Sequence, residues 1–244
     1  MDSNEYSKIF LGEDYPGAIS FSYPLAKLSW LKVGGPVDIL FRPKSVDDLV
    51  SFLKKVPSYM PITTIGVCSN LLIRDGGING VALKLGSAFS EVEINDDKVK
   101  VGAGNLGARV AINLAKFGFD MSFLRTIPGT IGGAIMMNAG CYGYSFGDFV
   151  IAVEGRNRDG KFIKLAKEDI CFSYRKCLMP DEMIVTSVIL KPIKLPKQLI
   201  EEKMEKAIAQ RQKTQPVEVP SCGSTFKNPD GKSSLINEKR IKLK

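Results

Sequence analysis

The chain has 244 residues, 44% of them hydrophobic and 25% charged, with 34 Lys+Arg against 26 Asp+Glu, five Cys and no His. These are ordinary globular proportions, which exclude wholesale disorder. The absence of His excludes a Ser-His-Asp triad, a Cys-His dyad and any His-containing zinc site, so acid–base work falls to Arg, Lys, carboxylates, Ser, Tyr or Cys. The length allows one large domain or two to three small lobes. Cys68, Cys141, Cys171, Cys177 and Cys222 form no C-x-x-C pair. No metal site and no disulfide framework are expected, and the compartment reads as the reducing cytoplasm. The net charge of +8 includes +4 from the last thirteen residues, Lys232 to Lys244 (five basic, one acidic), and the body has no basic stripe with interleaved aromatics. Nucleic acid is therefore not the expected partner. The N-terminus has no apolar run after a basic start. The longest uncharged stretch, between Arg125 and Asp148, holds six Gly and one Pro, so no membrane segment is expected.

Residues 1–26 read as a polar N-terminal arm. Val37–Phe41 reads as a strand, and Ser45 as the cap of a helix running to about Lys55, with Asp47 and Asp48 in its first turn. Pro61–Gly66 is a β-branched strand, followed by a loop at Val67–Asn70, an apolar run at Leu71–Ile73 and a strand at Val81–Leu85. A second lobe starts near Ser87. Glu91–Ile94 and Lys98–Val101 flank Asn95-Asp96-Asp97 as a hairpin, and Ala108–Phe117 is helical in pattern, ended by Gly118. Val150–Arg156 and Lys161–Leu165 form a second hairpin around Asn157-Arg158-Asp159-Gly160. Met183–Leu190 is an apolar strand. Lys197–Lys213 is a charged helix between Pro196 and Pro216 that connects to a short third lobe.

Five segments carry candidate chemistry. Gly102-Ala-Gly104-Asn-Leu-Gly107 matches G-x-G-x-x-G between a strand and a helix. A dinucleotide site there would need an acidic residue ending the next strand. Asp120 lies near the right spacing but precedes the apolar run Met121–Leu124, so a glycine-rich turn is favoured. Gly66-Val67-Cys68-Ser69-Asn70 can present amides and a hydroxyl to a phosphate, or be an ordinary turn. Ile127–Ala134 and Met137–Gly143 are dense in glycine within an apolar context, as close approach to a flat or phosphorylated cofactor requires. Tyr174-Arg175 becomes informative only if Arg175 lines an anion pocket. Arg211–Pro216 and Pro220–Pro229 read locally as simple turns.

Taken in order, these segments resemble the UDP-N-acetylenolpyruvoylglucosamine reductases, flavoenzymes of bacterial peptidoglycan synthesis. Trp30–Asp38 resembles the T-x-x-VGG-x-A-D block. Gly66–Asn70 with Leu71-Leu72 resembles G-x-G-S-N-L-L, with Cys68 in place of a Gly. Ile127–Gly133 and Asn138–Gly143 resemble G-I-P-G-T-V-G-G and N-A-G-A-Y-G, with Thr126 in place of the first Gly. Tyr174-Arg175 resembles Y-R-x-S, with Cys177 in place of the Ser. Arg211–Pro216 and Gly223–Pro229 resemble R-x-x-T-Q-P and G-S-V-F-K-N-P.

The resemblance implies an α+β fold of the FAD-binding vanillyl-alcohol-oxidase/PCMH-like type. It would have two flavin lobes (27–86 and 87–195), a connector helix (196–215) and an incomplete substrate-binding lobe (216–244). By the same resemblance, Gly66, Val67, Cys68, Ser69, Asn70, Pro128, Gly129, Thr130, Gly132, Gly133, Asn138 and Gly140 would line FAD. NADPH would supply hydride and a UDP-sugar would receive it. Arg175 would stabilise the negative charge that develops beside the substrate carboxylate, and Ser224 would return a proton. The cofactor carries the hydride, while the protein supplies placement and charge. The family's pattern continues past the last block with a late Glu, whereas this chain ends in Asn-Glu-Lys-Arg-Ile-Lys-Leu-Lys. FAD binding with impaired turnover is the resulting expectation. The alternatives are an inactive FAD-binding remnant and an NAD(P) dehydrogenase built on Gly102, Gly104 and Gly107.

Overall fold

The computed structural model describes residues 9–10, 17–216 and 218–219. The first sheet is built from β1 (Ala18–Pro24), β2 (Pro36–Arg42), β3 (Ile62–Ile65) and β4 (Ile78–Lys84), in the spatial order β1-β2-β4-β3. β4 runs parallel to both β2 and β3, and β1 is antiparallel to β2. Between β2 and β3 lies α1 (Val46–Leu53). Ser45 caps it as the sequence implies, with an extended backbone and an Oγ that accepts from the Asp48 amide at 3.0 Å. Leu49, Phe52 and Leu53 are buried from α1, and the Phe52 ring stacks on Phe41 of β2. β1 falls within the segment read as an arm. None of its residues is buried, so its hydrophobic pattern is faint, and pairing with β2 satisfies its backbone.

The second sheet holds β5 (Val92–Asn95), β6 (Lys98–Gly102), β10 (Val150–Arg156), β11 (Phe162–Ala166) and β14 (Ile184–Leu190). Its order is β11-β10-β14-β6-β5, with every neighbouring pair antiparallel. The connection from β6 to β10 carries α2 (Gly107–Ala115), β7 (Phe119–Asp120), α3 (Ile131–Met136), β8 (Gly140–Cys141) and β9 (Tyr144–Ser145). A hairpin of β12 (Cys171–Ser173) and β13 (Lys176–Leu178) precedes β14. β15 (Ile193–Lys194) pairs with β7, and α4 (Lys197–Thr214) follows. The apolar runs Met121–Leu124 and Leu71–Ile73 form no strands. The first lies in a 3-10 turn that buries Phe123 and Leu124, and the second is a loop with Leu72 exposed.

One hydrophobic core runs under both sheets. It joins Ile39, Phe41, Leu49 and Phe52 to Val99, Val101, Val110, Leu114 and Val188. Each such side chain contributes about 1.5–3 kcal/mol through burial. A smaller cluster, including Leu25, Val37, Leu40, Ile65 and Ile73, lies beside it. Arg158, at the tip of the β10–β11 hairpin, clasps the first sheet's side of the molecule. Its guanidinium donates to the carbonyls of Pro57 and Met60 and pairs with Glu182. Glu154 ties four strands together by accepting from Lys100 at 2.9 Å, Lys164 at 3.2 Å and Ser187 at 3.1 Å. Burial pushes its carboxyl up, and these hydrogen bonds outweigh that and leave it below the usual carboxylate range.

The helix read as a connector is docked along its length. Ile200, Met204 and Ala207 are buried from α4. Lys203 pairs with the buried Asp120, the Tyr142 hydroxyl donates to the Ala207 carbonyl at 3.0 Å, and Arg211 donates to the Thr126 carbonyl. Among the described residues, no helix is long and apolar enough to cross a membrane, and no group of His, Cys, Asp and Glu could hold a metal ion.

Candidate functional site

The loop after β3 and the glycine-rich segment before α3 are 59 residues apart in sequence and meet in space. Ser69 Oγ donates to the Pro128 carbonyl at 2.7 Å. A Cβ on Gly66 would stand 2.6 Å from Thr130 Oγ1, and one on Gly129 would stand 3.5 Å from Ser69 Oγ. Thr130 is the N-cap of α3 and accepts from the Gly133 amide at 3.3 Å.

The two loops differ in what they can offer a ligand. Among the described residues, the backbone N–H groups of Val67, Cys68, Ser69 and Asn70 have no hydrogen-bond acceptor. In the second loop, Ile131 donates to Asn105 O, Gly132 to Ala103 O and Gly133 to Thr130 Oγ1. The glycine density of the second loop therefore does not make it a row of backbone donors. The donors are concentrated in the first loop, with Gly129 and Thr130 remaining in the second. Gly132 packs against Ala103, and Gly133 completes the helix cap. Cys68 turns its thiol into the interior, where burial raises its pKa, so only its backbone faces the site.

A second cluster forms at the other end of α3. Asn138 is buried, and its side chain is engaged at both ends. Nδ2 donates to Ser173 O at 2.9 Å, and Oδ1 accepts from the Gly147 amide at 2.9 Å. Gly140 packs tightly on Tyr144 O and Ser145 and has no room for a Cβ, while its carbonyl accepts from Arg175 Nη2 at 2.8 Å. In this structure Asn138 and Gly140, which the resemblance assigns to the cofactor, also hold the β12–β13 hairpin. Arg175 sits at the tip of that hairpin, half-buried, with its guanidinium 5.0 Å from the Tyr174 ring centroid and no carboxylate partner among the described residues. Ser224 lies outside the described residues.

Four non-glycine residues with positive φ fall in these loops: Cys68 (52°), Asn138 (39°), Tyr142 (55°) and Arg175 (56°). Such conformations are held against a local cost and collect at functional sites. The Cys68 value also explains why a glycine suits that position. Replacing Asn138 by Ala should lower stability by about 1–3 kcal/mol, because it leaves the buried Gly147 amide unpaired, removes the part-buried bond to the Ser173 carbonyl and puts Ala at an unfavourable φ. Denaturant unfolding checks this, and an unchanged midpoint would return Asn138 to a ligand-facing role.

The G-x-G-x-x-G segment is not a nucleotide loop. Side chains at Gly102 and Gly104 would strike the Phe89 and Gly86 carbonyls. The amides of Ala103, Gly104, Asn105 and Gly107 donate to Thr186, Phe89, Gly102 and Gly129 carbonyls at 2.8–3.1 Å. Asp120, the acidic residue a ribose would need, is paired with Lys203 and with the Ser122 amide.

Two further contributors appear, of which Lys84 is not marked in the sequence and Arg211 is marked only as part of the R-x-x-T-Q-P block. Lys84 Nζ donates to Gly66 O at 2.7 Å beneath the first loop, and Arg211 holds Thr126 just before the second. The only signal for Lys84 was a lysine interrupting the apolar run Val81–Leu85.

Residues 37–166 match a family described as FAD binding domain. The UDP-N-acetylenolpyruvoylglucosamine reductase of Jannaschia sp. (strain CCS1) is 42% identical over 218 residues, 89% of this chain and 71% of the relative. That of Dinoroseobacter shibae is 42% identical over 221 residues, 91% of this chain and 72% of the relative. The crystal structure of the Thermus caldophilus enzyme of that name superposes with a TM-score of 0.77 at 33% identity, covering 92% of this chain and 80% of that one. A variant of the BBE-like 1 protein of Physcomitrella patens superposes at 0.54 and 17% identity, over 72% of this chain and 42% of that one, which shows the fold alone. The fold is the α+β FAD-binding type of the vanillyl-alcohol-oxidase/PCMH class, and with relatives at this identity over most of its length the chain belongs to the UDP-N-acetylenolpyruvoylglucosamine reductase family.

Proposed function

We propose that this chain reduces the enolpyruvyl ether of UDP-N-acetylglucosamine to the lactyl ether of UDP-N-acetylmuramate, with FAD as its cofactor and NADPH as the hydride source. The observation that carries this reading is the arrangement along α3. Free amides of the Val67–Asn70 loop lie at one end and Arg175 at the other. The helix between them is short, six residues or about 9 Å, with the Ser69–Pro128 contact before its start and the Arg175–Gly140 contact after its end.

The residues present fit FAD. Val67, Cys68, Ser69 and Asn70 offer unpaired amides to an anion, and Pro128, Gly129 and Thr130 close against that loop with little side-chain bulk. Bound FAD would supply the relay of hydride from NADPH to the substrate. Negative charge then builds on the substrate carbon next to its carboxylate. Arg175, free of any carboxylate partner among the described residues, would stabilise that charge. Ser224, by correspondence with the family's G-S-V-F-K-N-P block, would donate the proton. A hydroxyl is a weak acid but sufficient against so basic a carbon. Asn138 and Gly140 act one step back, by fixing the hairpin that carries Arg175.

In this reading the lobes 27–86 and 87–195 enclose the flavin, and the setting is the cytoplasm. The test is the visible spectrum of the purified chain before and after anaerobic NADPH, followed by addition of the UDP-sugar. A flavin band that NADPH bleaches and the UDP-sugar restores is expected. A chain that takes up no flavin even from added FAD would overturn the proposal.

A further inference from the structure

The second half of β4 is apolar until its last residue. Val81, Ala82 and Leu83 are buried, and Lys84 then enters the same layer, half-buried beneath the Gly66–Asn70 loop. Its ammonium donates to the Gly66 carbonyl at 2.7 Å and has no carboxylate partner among the described residues. Burial lowers its pKa. The neighbouring Cys68 thiol raises it in part, and the Arg42 guanidinium lowers it further. Burial in turn raises the Cys68 thiol, and Lys84 only partly offsets this. With Arg42 nearby and no carboxylate paired to it among the described residues, an ammonium at this position would gain from an added anion.

The peptide bond says where that anion would sit. No cis peptide occurs among the described residues, so the Gly66 carbonyl and the Val67 N–H point in opposite directions within their shared peptide plane. Lys84 holds the carbonyl inward, which turns the Val67 amide outward. The next three amides, also without acceptors, continue the same loop. We propose that Lys84 is a positioning residue for the diphosphate of FAD, fixing the orientation of the amides that receive it and placing a positive charge behind them. This inference rests on the FAD reading above. It concerns a side chain that touches the loop and not the reacting atoms.

The test is FAD affinity of the full chain, read by quenching of flavin fluorescence, for the wild type, Lys84→Gln and Lys84→Arg at about 20 mM and about 500 mM salt. At low salt Lys84→Gln should bind roughly tenfold more weakly, as expected for loss of one charge-assisted contact. The gap should shrink at high salt, and Lys84→Arg should recover most of the affinity. Three outcomes would overturn the inference: wild-type affinity in Lys84→Gln, a deficit equal at both salts and unrelieved by Arg, or loss of folded apoprotein in both variants, since the last two are signs of a purely structural lysine. Absence of FAD binding by the wild type would instead overturn the cofactor reading itself.

Discussion

Replacing Arg175 by Met is expected to leave FAD bound while lowering the UDP-sugar-dependent rate by roughly 10²–10³-fold, the usual loss when one preorganised electrostatic stabiliser is removed. Met keeps an unbranched stem on the hairpin tip and removes only the charge and the donors. The one hydrogen bond lost is to the Gly140 carbonyl, a part-buried contact worth about 1 kcal/mol. That is too little to detach a hairpin also held by Asn138 through Ser173. NADPH bleaching without the UDP-sugar should continue near the wild-type rate, because that half of the reaction develops no charge beside the substrate carboxylate. Loss of flavin from the variant would show Arg175 to be architectural.

The second large effect is on stability. Gly77→Ala is expected to destabilise the chain by about 4 kcal/mol or more. Gly77 has φ +76°, where a Cβ is strained, and that Cβ would overlap the Pro36 carbonyl at the start of β2. The clash is with backbone, so no rotamer change relieves it. Gly35 faces the same strand-to-loop seam, with its missing Cβ against Asp75 O, and the amides of Gly35 and Gly77 both donate to Arg74 O at 2.9 Å. The two glycine pairs 34–35 and 76–77 therefore close on each other. Thermal melting of Gly77→Ala checks this, and a shift of only a degree or two would mean the seam can open cheaply.

Local signals in the sequence carried much of the fold. Ser45 with Asp47 and Asp48 marked α1, Asp96 and Gly160 marked two hairpin turns, and the alternation of strands and helices placed most elements of both sheets. β1 was missed because its residues are not buried and its stability comes from pairing with β2. In the site, backbone loops were recognisable by their glycines and small polar residues. Their meeting was not, because the Ser69–Pro128 contact depends on tertiary structure. Nor did composition reveal that Ile131, Gly132 and Gly133 have their amides already engaged, or that Asn138 faces the hairpin. The motif that looked most like a nucleotide loop, Gly102–Gly107, has its glycines for a different reason, since two chain segments pass within backbone contact there.

The order β11-β10-β14-β6-β5 places the last strand to be synthesised in the middle of its sheet. β14 joins the hairpin β10–β11 to the hairpin β5–β6, and its Ser187 pairs with Gly102, 85 positions earlier (187 − 102). The segment that matches the FAD-binding family ends at residue 166, before β14 begins. A fragment cut there would hold two separate hairpins, each marginal in water without the strand between them. The minimal folding unit is therefore longer than the segment defined by similarity. A ribosome-bound chain would have to wait for residue 190 before its second sheet could close, with the entropy of an 85-residue loop to overcome at that moment.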